Sequence, residues 1–594
     1  MRSGTSFFDR TVFKKTFLRF WPLWATYSAA WLITLPLNGL TLLRTATWNK
    51  DPIHDFAWST VPRSVSMVLP FALVFGVLAA MAAFSHLYDH RSANFFGALP
   101  MRREALFLTH YLAGLSFLIV PNLAVALLTL LVELAGGVVC LEGLLVWLAA
   151  SCGECFLFYT MAVFCGAFTG HILALPAFYG ILNVLVLGLM NLSYAMCDRF
   201  YYGFSGFGSL MEEIVIWTTP VMNLGTSVRV SGSRIGLSYY GLETLAIYAA
   251  VAVALSVGAF FLYRNRRLES AGDVVSVRAM RPVFKFGVAI CTGLLFGVIT
   301  AVFIHVQELG LMASILVWGT IGYFAAQMLL DRSFRVFHKW KGAVAVAGAF
   351  VALFMVVGFD FTGFETRVPA AEQVAWMEVS GLDMIYLNDD ADHILVDVDD
   401  PEIVQLFIDL HHAAVDQRSG YVPAADADDM NSVRLTYHLE DGSTLSRRYS
   451  VWVSPSEVDQ EGTASWAVER LYAHRGLYWK AYDLDRAEEL LAEGGRVESV
   501  TYDPDRYGTN SATSHYYAKD AQALYEAMKE DLLAGDIGAR SLSMDRNMGV
   551  KRNLELTIVD DEHDRSIYIY IAVQDGSQRT LETLERLADS AVWS

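Results

Sequence analysis

Apolar residues dominate the first 360 positions of the chain, where they form nine long runs. A helix needs about 20 apolar residues to cross the hydrocarbon core of a bilayer. The boundary between the fourth and fifth runs is the least distinct, because Gly170, His171 and Pro176 interrupt it. The runs predict nine transmembrane helices, at residues 22–42, 65–86, 106–132, 144–169, 172–192, 242–263, 286–305, 309–330 and 342–360.

The pattern changes after residue 360 to alternating strands, turns and amphipathic helices, which predicts an α+β module over residues 361–594. Two stretches of this module, about 370–475 and 495–594, show the same order at an offset near 120 residues. In each, a helix beginning at Asp400 or Asp520 is followed by a strand hairpin and a further helix. The parallel predicts two tandem α+β repeats, and chance similarity between small α+β units is the alternative.

Composition separates the same two parts. The chain is 54% hydrophobic, which exceeds the usual range for a soluble protein. Residues 1–360 carry 24 Lys and Arg against 17 Asp and Glu, whereas residues 361–594 carry 20 against 45. The acidic module argues against nucleic acid as a partner, since phosphate binding relies on clustered basic residues. All six cysteines lie in the apolar part, which excludes a disulfide framework for the module.

Basic residues predict the orientation, because Lys and Arg concentrate in cytoplasmic loops. With the N-terminus inside, the inner segments of the first 360 residues hold 18 Lys and Arg and the outer loops hold six. An odd number of spans then places the module outside the cell membrane. A single missed span reverses that placement.

Residues 1–21 form a basic, aromatic segment ahead of the first span. Phe13, Phe17 and Trp24 recur on one face of a helix, while Lys15 and Arg19 point the other way. The spacing predicts an amphipathic helix at the cytoplasmic interface, and an ordinary aromatic and basic membrane anchor is the equal alternative.

A short segment between the second and third spans combines apolar and basic residues. A proline ends any preceding helix here, and an arginine pair follows it. The segment is suited to docking a partner, although basic residues also anchor cytoplasmic loops without any partner. The candidate contact residues are Phe95, Phe96, Leu99, Pro100, Arg102, Arg103 and Glu104.

These features together resemble the type-2 permease class of ABC transporters, in particular Gram-positive bacterial permeases with extra spans and an appended extracytoplasmic domain. In that class a basic elbow helix precedes six spans, and the loop after the second span forms a coupling helix on the ATPase. The resemblance implies an elbow at 1–21, a six-span core at 22–263 and a cytoplasmic linker at 264–285. It also implies three additional spans at 286–360 and short re-entrant helices within the outer loop 193–241.

The resemblance implies the membrane subunit of an ABC exporter, in a homodimer or heterodimer of permease subunits. The sequence has no Gly-x-x-x-x-Gly-Lys-Ser/Thr loop, so ATP is expected to bind a separate ATPase subunit, and no enzyme activity or cofactor is assigned to this chain. The alternative is a membrane-embedded sensor or scaffold whose outer domain binds a ligand. An intramembrane enzyme is a third possibility, but it requires convergent ionisable groups in the spans.

Two ionisable residues are expected inside the spans. Glu154 lies near the middle of the fourth span, where a charge is costly and function is the default hypothesis. His171, in the fifth span, is expected to serve helix packing by hydrogen-bonding across helices. Glu154 either makes a structural hydrogen bond or lines a substrate path. Cys152 and Cys155 flank it, but a metal or redox site needs further ligands that a membrane helix does not supply.

The module shows no catalytic or zinc-binding pattern. Its acidic clusters either bind calcium or form a solvated surface of caps and turns, and they lack the Gly and distal Glu of an EF-hand. The clusters lie at 389–392, 397–400 and 426–429.

Overall fold

The computed structural model describes residues 7–45, 51–233, 236–266, 272–277, 280–304, 308–358, 360, 363–381, 394–397, 400–418, 423–424, 426–504, 513–537, 542, 552–560, 565–573, 576–588 and 592–593. The chain forms two compact units. The membrane unit comprises Met1–Ala195 and Phe207–Phe354, and the C-terminal unit comprises Met196–Gly206 and Met355–Ser594.

Sixteen α-helices are described up to residue 358. They are α1 Arg10–Arg19, α2 Trp21–Leu32, α3 Asn38–Thr45, α4 Asp51–Asp55, α5 Val61–Arg63, α6 Val68–Ala83, α7 His90–Gly97, α8 Arg103–Gly136, α9 Leu141–Phe168, α10 Ala174–Phe200, α11 Ser209–Thr218, α12 Pro220–Ser227, α13 Leu242–Asn265, α14 Met280–Ile304, α15 Glu308–Asp331 and α16 Trp340–Gly358.

Eight helical stretches in the described part of the chain are long and apolar enough to cross a membrane. The chain is therefore a polytopic membrane protein by helix length and composition. The stretches overlap the second to ninth predicted spans, and they are Pro52–Ala83, Arg103–Gly136, Leu141–Phe168, Ala174–Phe200, Leu242–Asn265, Met280–Ile304, Leu309–Asp331 and Phe337–Val356.

The first predicted span, 22–42, is helical but does not belong to that set of eight. Helices α2 and α3 are joined through a π-helical stretch, Ile33–Leu37, that contains Pro36. Proline lacks an N–H and cannot continue the regular ladder, which accounts for the irregular turn. Tyr27 and Trp31 on α2 are completely buried. The stretch thus packs inside the membrane unit, while its crossing of the membrane remains a prediction.

Close helix packing forms the core of the membrane unit. A Cβ added at Gly76 on α6 would lie 2.9 Å from the backbone nitrogen of Tyr159 on α9. Only glycine therefore permits this approach, as expected where helix backbones pack tightly in membranes. The indole rings of Trp31 and Trp147 meet edge to face with centroids 5.1 Å apart.

Helices α11 and α12 are short and lie in the loop 193–241, where the resemblance implies re-entrant helices. They are followed by an antiparallel hairpin of β1 (Arg229–Ser233) and β2 (Gly236–Tyr240).

The described residues of the C-terminal unit form two antiparallel sheets and six α-helices, which confirms an α+β module. Buried and more exposed positions alternate along several strands, as the two-residue repeat of a half-covered sheet requires. The strands are β3 Val374–Ser380, β4 Ile394–Asp397, β5 Asp428–Leu439, β6 Thr444–Val453, β7 Arg496–Asp503, β8 Ser514–Tyr517, β9 Arg552–Asp560, β10 Arg565–Val573 and β11 Val592–Trp593. The helices are α17 Pro401–Asp416, α18 Ala464–Ala473, α19 Arg475–Ala481, α20 Leu484–Ala492, α21 Ala518–Ala534 and α22 Gln578–Leu587.

The two sheets have matching strand orders. The first sheet is ordered β4-β3-β5-β6, and the second is ordered β10-β9-β7-β8-β11. Reversed, the second sheet reads β8-β7-β9-β10 with β11 added at the β8 edge. In each half a helix, α17 or α21, connects the second strand to the third. Each half also carries a register shift between its first and third strands.

The predicted helix starts differ in detail from the observed ones. Asp400 is the N-cap residue of α17 but makes no side-chain capping bond, and its carboxylate pairs instead with Lys480 at 2.9 Å. Helix α21 starts at Ala518, so Asp520 lies in its first turn. The predicted hairpin turn is present at Gly442, whose φ of +80° suits glycine.

Candidate functional site

Helix α7 occupies the loop that was predicted to dock a partner. Asp89 caps its N-terminus by accepting hydrogen bonds from the backbone N–H and hydroxyl of Ser92 at 3.0 and 2.9 Å. These bonds lower the pKa of the Asp89 carboxyl. Ala93 is buried on the inner face of α7. The helix ends at Gly97, shortly before Pro100.

The two phenylalanines of α7 differ in exposure. Phe95 is 65% exposed, whereas Phe96 is half-buried. The Phe96 ring lies 4.8 Å from the ring of His86 and 5.5 Å from the ring of His110. Phe96 therefore holds α7 against the membrane unit, and Phe95 remains accessible on its surface.

Two buried histidines lie beneath α7. Their ring centroids are 4.4 Å apart, and His86 and His110 are only 5% and 3% exposed. No ring nitrogen of either residue makes a hydrogen bond of normal geometry among the described residues, although the backbone of Ala83 lies close to both rings. Buried polar groups normally have partners, so this pair is unusual.

The basic residues after α7 divide between internal and exposed positions. Arg103 donates hydrogen bonds to the backbone carbonyls of Arg264 and Arg266 at 3.3 and 3.0 Å. Glu104 forms an ion pair with Arg264 at 3.4 Å. These contacts attach the start of α8 to the end of α13. Arg102 is exposed and has the extended backbone of an N-cap residue.

Leu99 and Pro100 lie in the turn between α7 and α8. Leu99 is half-buried and Pro100 is exposed. Both side chains line a cavity of about 800 Å³ that separates α7 from α1. The predicted contact residues thus do not form a single exposed patch.

Arg266 reinforces this region and was not predicted as a site residue. The residue is 9% exposed, and its guanidinium donates to the carbonyls of Gly166 at 3.0 Å and Leu87 at 3.2 Å. Its position in a basic loop gave no signal that distinguished it from neighbouring arginines. It joins the ends of three helical segments of the membrane unit.

Helix α1 packs on α8. The backbone N–H of Asp9 donates to Thr109 Oγ1 at 3.1 Å, and the rings of Phe17 and Phe117 lie 5.8 Å apart. Trp24 Nε1 donates to the carbonyl of Phe17. The predicted amphipathic segment is therefore a helix seated against the third predicted span.

The two predicted intramembrane residues have different settings. Glu154 lies inside α9, is 1% exposed, and its Oε2 has no hydrogen-bond partner among the described residues. His171 lies in the exposed turn between α9 and α10, so the expectation of a histidine within a span is corrected. The interruption at Gly170 starts this turn, and the next helix begins only at Ala174.

A second buried carboxylate was missed because it lies near the end of a predicted span. Glu133 on α8 is completely buried and accepts a hydrogen bond from the backbone N–H of Cys140 at 3.1 Å. Cys155 lies 3.3 Å from the hydroxyl of Tyr27, which donates to Asn122. The described residues contain no cluster of metal-ligating side chains.

The C-terminal unit contains a buried polar cluster in its first half. His411 on α17 is completely buried, and its Nε2 and Nδ1 lie 2.9 and 3.2 Å from the hydroxyls of Tyr449 and Tyr437. Burial lowers the pKa of His411 to about 3, with the positive charge of Arg447 contributing. Arg447 donates to the carbonyl of Phe364 at 2.7 Å.

The matching positions in the second sheet are apolar. In the first sheet, Arg447 on β6 is paired with Leu435 on β5. At the corresponding place in the second sheet, Ile569 on β10 is paired with Leu556 on β9. Ile569 and Ile571 are both buried. The polar cluster is therefore particular to the first half.

Residues 196–206 include the end of α10, belong to the C-terminal unit and contact this cluster. The Tyr202 ring lies 5.2 Å from the Tyr449 ring, and the Tyr202 hydroxyl donates to the Ala414 carbonyl at 2.9 Å. Arg448 donates to Asp198 at 2.6 Å. The Tyr202 backbone N–H donates to the buried carboxylate of Glu365 at 2.9 Å, and Glu365 also pairs with Arg418.

The acidic clusters considered for calcium are only partly described. Asp426 accepts hydrogen bonds from Ser454 and Ser456 at 2.6 and 3.0 Å, which is turn and cap chemistry. Asp389, Asp390 and Asp392 lie outside the described residues.

No family model, curated protein or solved structure matches this chain.

Proposed function

We propose that the chain is the membrane subunit of an ABC exporter, driven by a separate ATPase subunit that binds α7 from the cytosol. The observation that carries this proposal is the construction of α7 itself. It is a short capped helix between two long apolar helices, fixed inward by Phe96 and presenting Phe95 outward.

The surroundings of α7 suit transmission of force. Arg103 attaches the start of α8 to the end of α13, and Arg266 attaches the region to Gly166 at the end of α9. A push on α7 therefore reaches several helices through direct contacts. An ATPase whose ATP-bound form binds α7 differently would shift the membrane helices between two states.

The proposed topology has a cytoplasmic N-terminus, nine spans including α2 and α3, and an extracytoplasmic C-terminal unit in the cell membrane. Two permease subunits, identical or different, are proposed to pair. The matching strand orders of the two sheets support an internal duplication of the C-terminal module.

Labelling of single cysteines in intact cells tests this topology. In a background without the six native cysteines, Asp441→Cys in the exposed hairpin turn is expected to react with a membrane-impermeant maleimide. Ala98→Cys next to α7 is expected to react only after permeabilisation. The reverse pattern contradicts the proposed orientation.

A membrane-embedded sensor is the second candidate function. It is favoured by residues 196–206, because they include the end of α10 and are bound to the first half of the C-terminal unit. Ligand binding to this unit would then act on α10. Co-purification with an ATPase distinguishes the two functions, since a sensor needs no such subunit.

A further inference from the structure

The cavity between α1 and α7 has a volume of about 800 Å³. This volume is within the range of ligand-binding pockets. The cavity lies beside the end of α6 at Ala83 and beside His110, which is about two turns after the start of α8. It is therefore at the predicted boundary between membrane and cytosol.

The charges on the cavity wall are mainly positive. Lys15 and Arg19 line it from α1 and form no ion pair among the described residues. Asp9 is the acidic residue of the lining, and its carboxylate caps α1 by accepting from the N–H groups of Thr11 and Val12 at 2.8 and 2.9 Å. The two basic side chains thus remain available to an anion.

The rest of the wall is more apolar than polar. His86 and His110 also line the cavity, but their ring nitrogens are buried and contribute no polar surface to it. Phe20, Phe96 and Leu99 supply apolar surface. Such a wall suits a ligand with a charged end and an apolar end.

We propose that this cavity binds the headgroup and adjoining acyl segment of an anionic phospholipid. Lys15 and Arg19 attract the phosphate, and the apolar wall covers the start of an acyl chain. A free phosphate has no apolar part that could contact the apolar wall. A phospholipid has one, and lipid is present at the predicted membrane boundary. The proposal does not depend on ATP-driven transport.

A basic cluster near a membrane surface contributes roughly 1 kcal/mol of lipid attraction per residue. The loss of two lining cations should therefore weaken binding about ten-fold or more, provided that the lipid contacts them directly. The neighbouring Arg10 and Lys14 are exposed on the same helix and do not line the cavity. They provide a control with the same change of charge.

The test uses native mass spectrometry of the full-length chain with dioleoylphosphatidylglycerol, dioleoylphosphatidylcholine or inorganic phosphate. The expected result is preferential retention of phosphatidylglycerol, a loss of about ten-fold in K15Q/R19Q and a change of less than two-fold in R10Q/K14Q. Melting temperatures verify that each variant is folded.

Three results would overturn the proposal. Equal losses in the two double variants would indicate diffuse attraction to the basic helix. Equal retention of phosphatidylcholine would exclude recognition of the anionic headgroup. Displacement of phosphatidylglycerol by inorganic phosphate at millimolar concentration would indicate a site for soluble phosphate.

Discussion

The ring of Phe96 lies 4.8 Å from the buried ring of His86, although the adjacent Phe95 is 65% exposed. One residue fixes the short helix α7 to the membrane unit, and its neighbour is free to contact another protein. The inward packing of Phe96 and the exposure of Phe95 support the proposed coupling role of α7.

Substitutions of the two phenylalanines should therefore have different effects. Phe96→Ala removes packing on His86 and is expected to cost roughly 1–3 kcal/mol, less than the loss of a fully buried phenylalanine. Phe95→Ala should change the melting temperature little but weaken association with the ATPase. Thermal unfolding in detergent measures the loss of stability, and co-purification measures association with the ATPase. A larger loss of stability in Phe95→Ala than in Phe96→Ala would contradict the packing of the two rings.

The buried carboxylate of Asp531 is expected to stabilise the second half of the C-terminal unit. It accepts hydrogen bonds from the backbone N–H and the hydroxyl of Thr580, both at 2.7 Å, at the start of α22. Asp531→Ala leaves these donors unpaired and should cost about 2–4 kcal/mol. Glu530→Ala, which alters the mostly exposed neighbour, should cost under about 0.5 kcal/mol. Similar losses in denaturant unfolding would contradict the role of Asp531.

His411 predicts acid sensitivity of the first half. Its folded pKa of about 3 lies below the ordinary value of 6.5, so the unfolded chain binds a proton that the folded chain excludes between these values. The free energy of unfolding should therefore fall as the pH drops through this window, by up to about 1.4 kcal/mol per pH unit. His411→Met should flatten this slope.

The adjacent His412 provides the control for that measurement, because it is exposed on the same helix. His412→Gln should change the slope much less than His411→Met, because the charge of His412 lowers the pKa of His411 less than burial or Arg447 does. Urea unfolding followed at several pH values gives the slope directly. An unchanged slope in His411→Met would show that another group governs acid sensitivity.

Tyr202 is expected to hold residues 196–206 against the first sheet. Tyr202→Ala removes its contacts with Tyr449 and Ala414, so the amides of this segment should exchange faster with deuterium. Tyr240→Ala, at an exposed position between α10 and α13, serves as the control. Equal exchange in both variants would show that the Tyr202 contacts do not order the segment.

Long apolar runs predicted most helices of the membrane unit, because a span requires both length and apolarity. The same pattern did not distinguish an exposed turn from a span end at His171, since the apolar residues on both sides are nearly continuous. The first predicted span is helical, but Pro36 and its polar neighbours separate it from the eight more apolar stretches.

Short-range patterns predicted the hairpins and the principal helices of the C-terminal unit. Strands β3, β4, β7 and β8 were not predicted; β4 and β8 have four residues each, which are too few to show a clear alternation. The attachment of residues 196–206 was also missed. It depends on pairs such as Arg448 and Asp198, which are 250 residues apart and share no local pattern.

Photocrosslinking at position 95 tests the central claim most directly. With a photoreactive amino acid in place of Phe95, membranes from the native organism should yield an adduct with a P-loop ATPase. The same residue at Phe334, an exposed position outside α7, should yield no such adduct. Absence of an ATPase adduct at position 95, with the chain folded and present in the membrane, would contradict the proposed coupling role of α7.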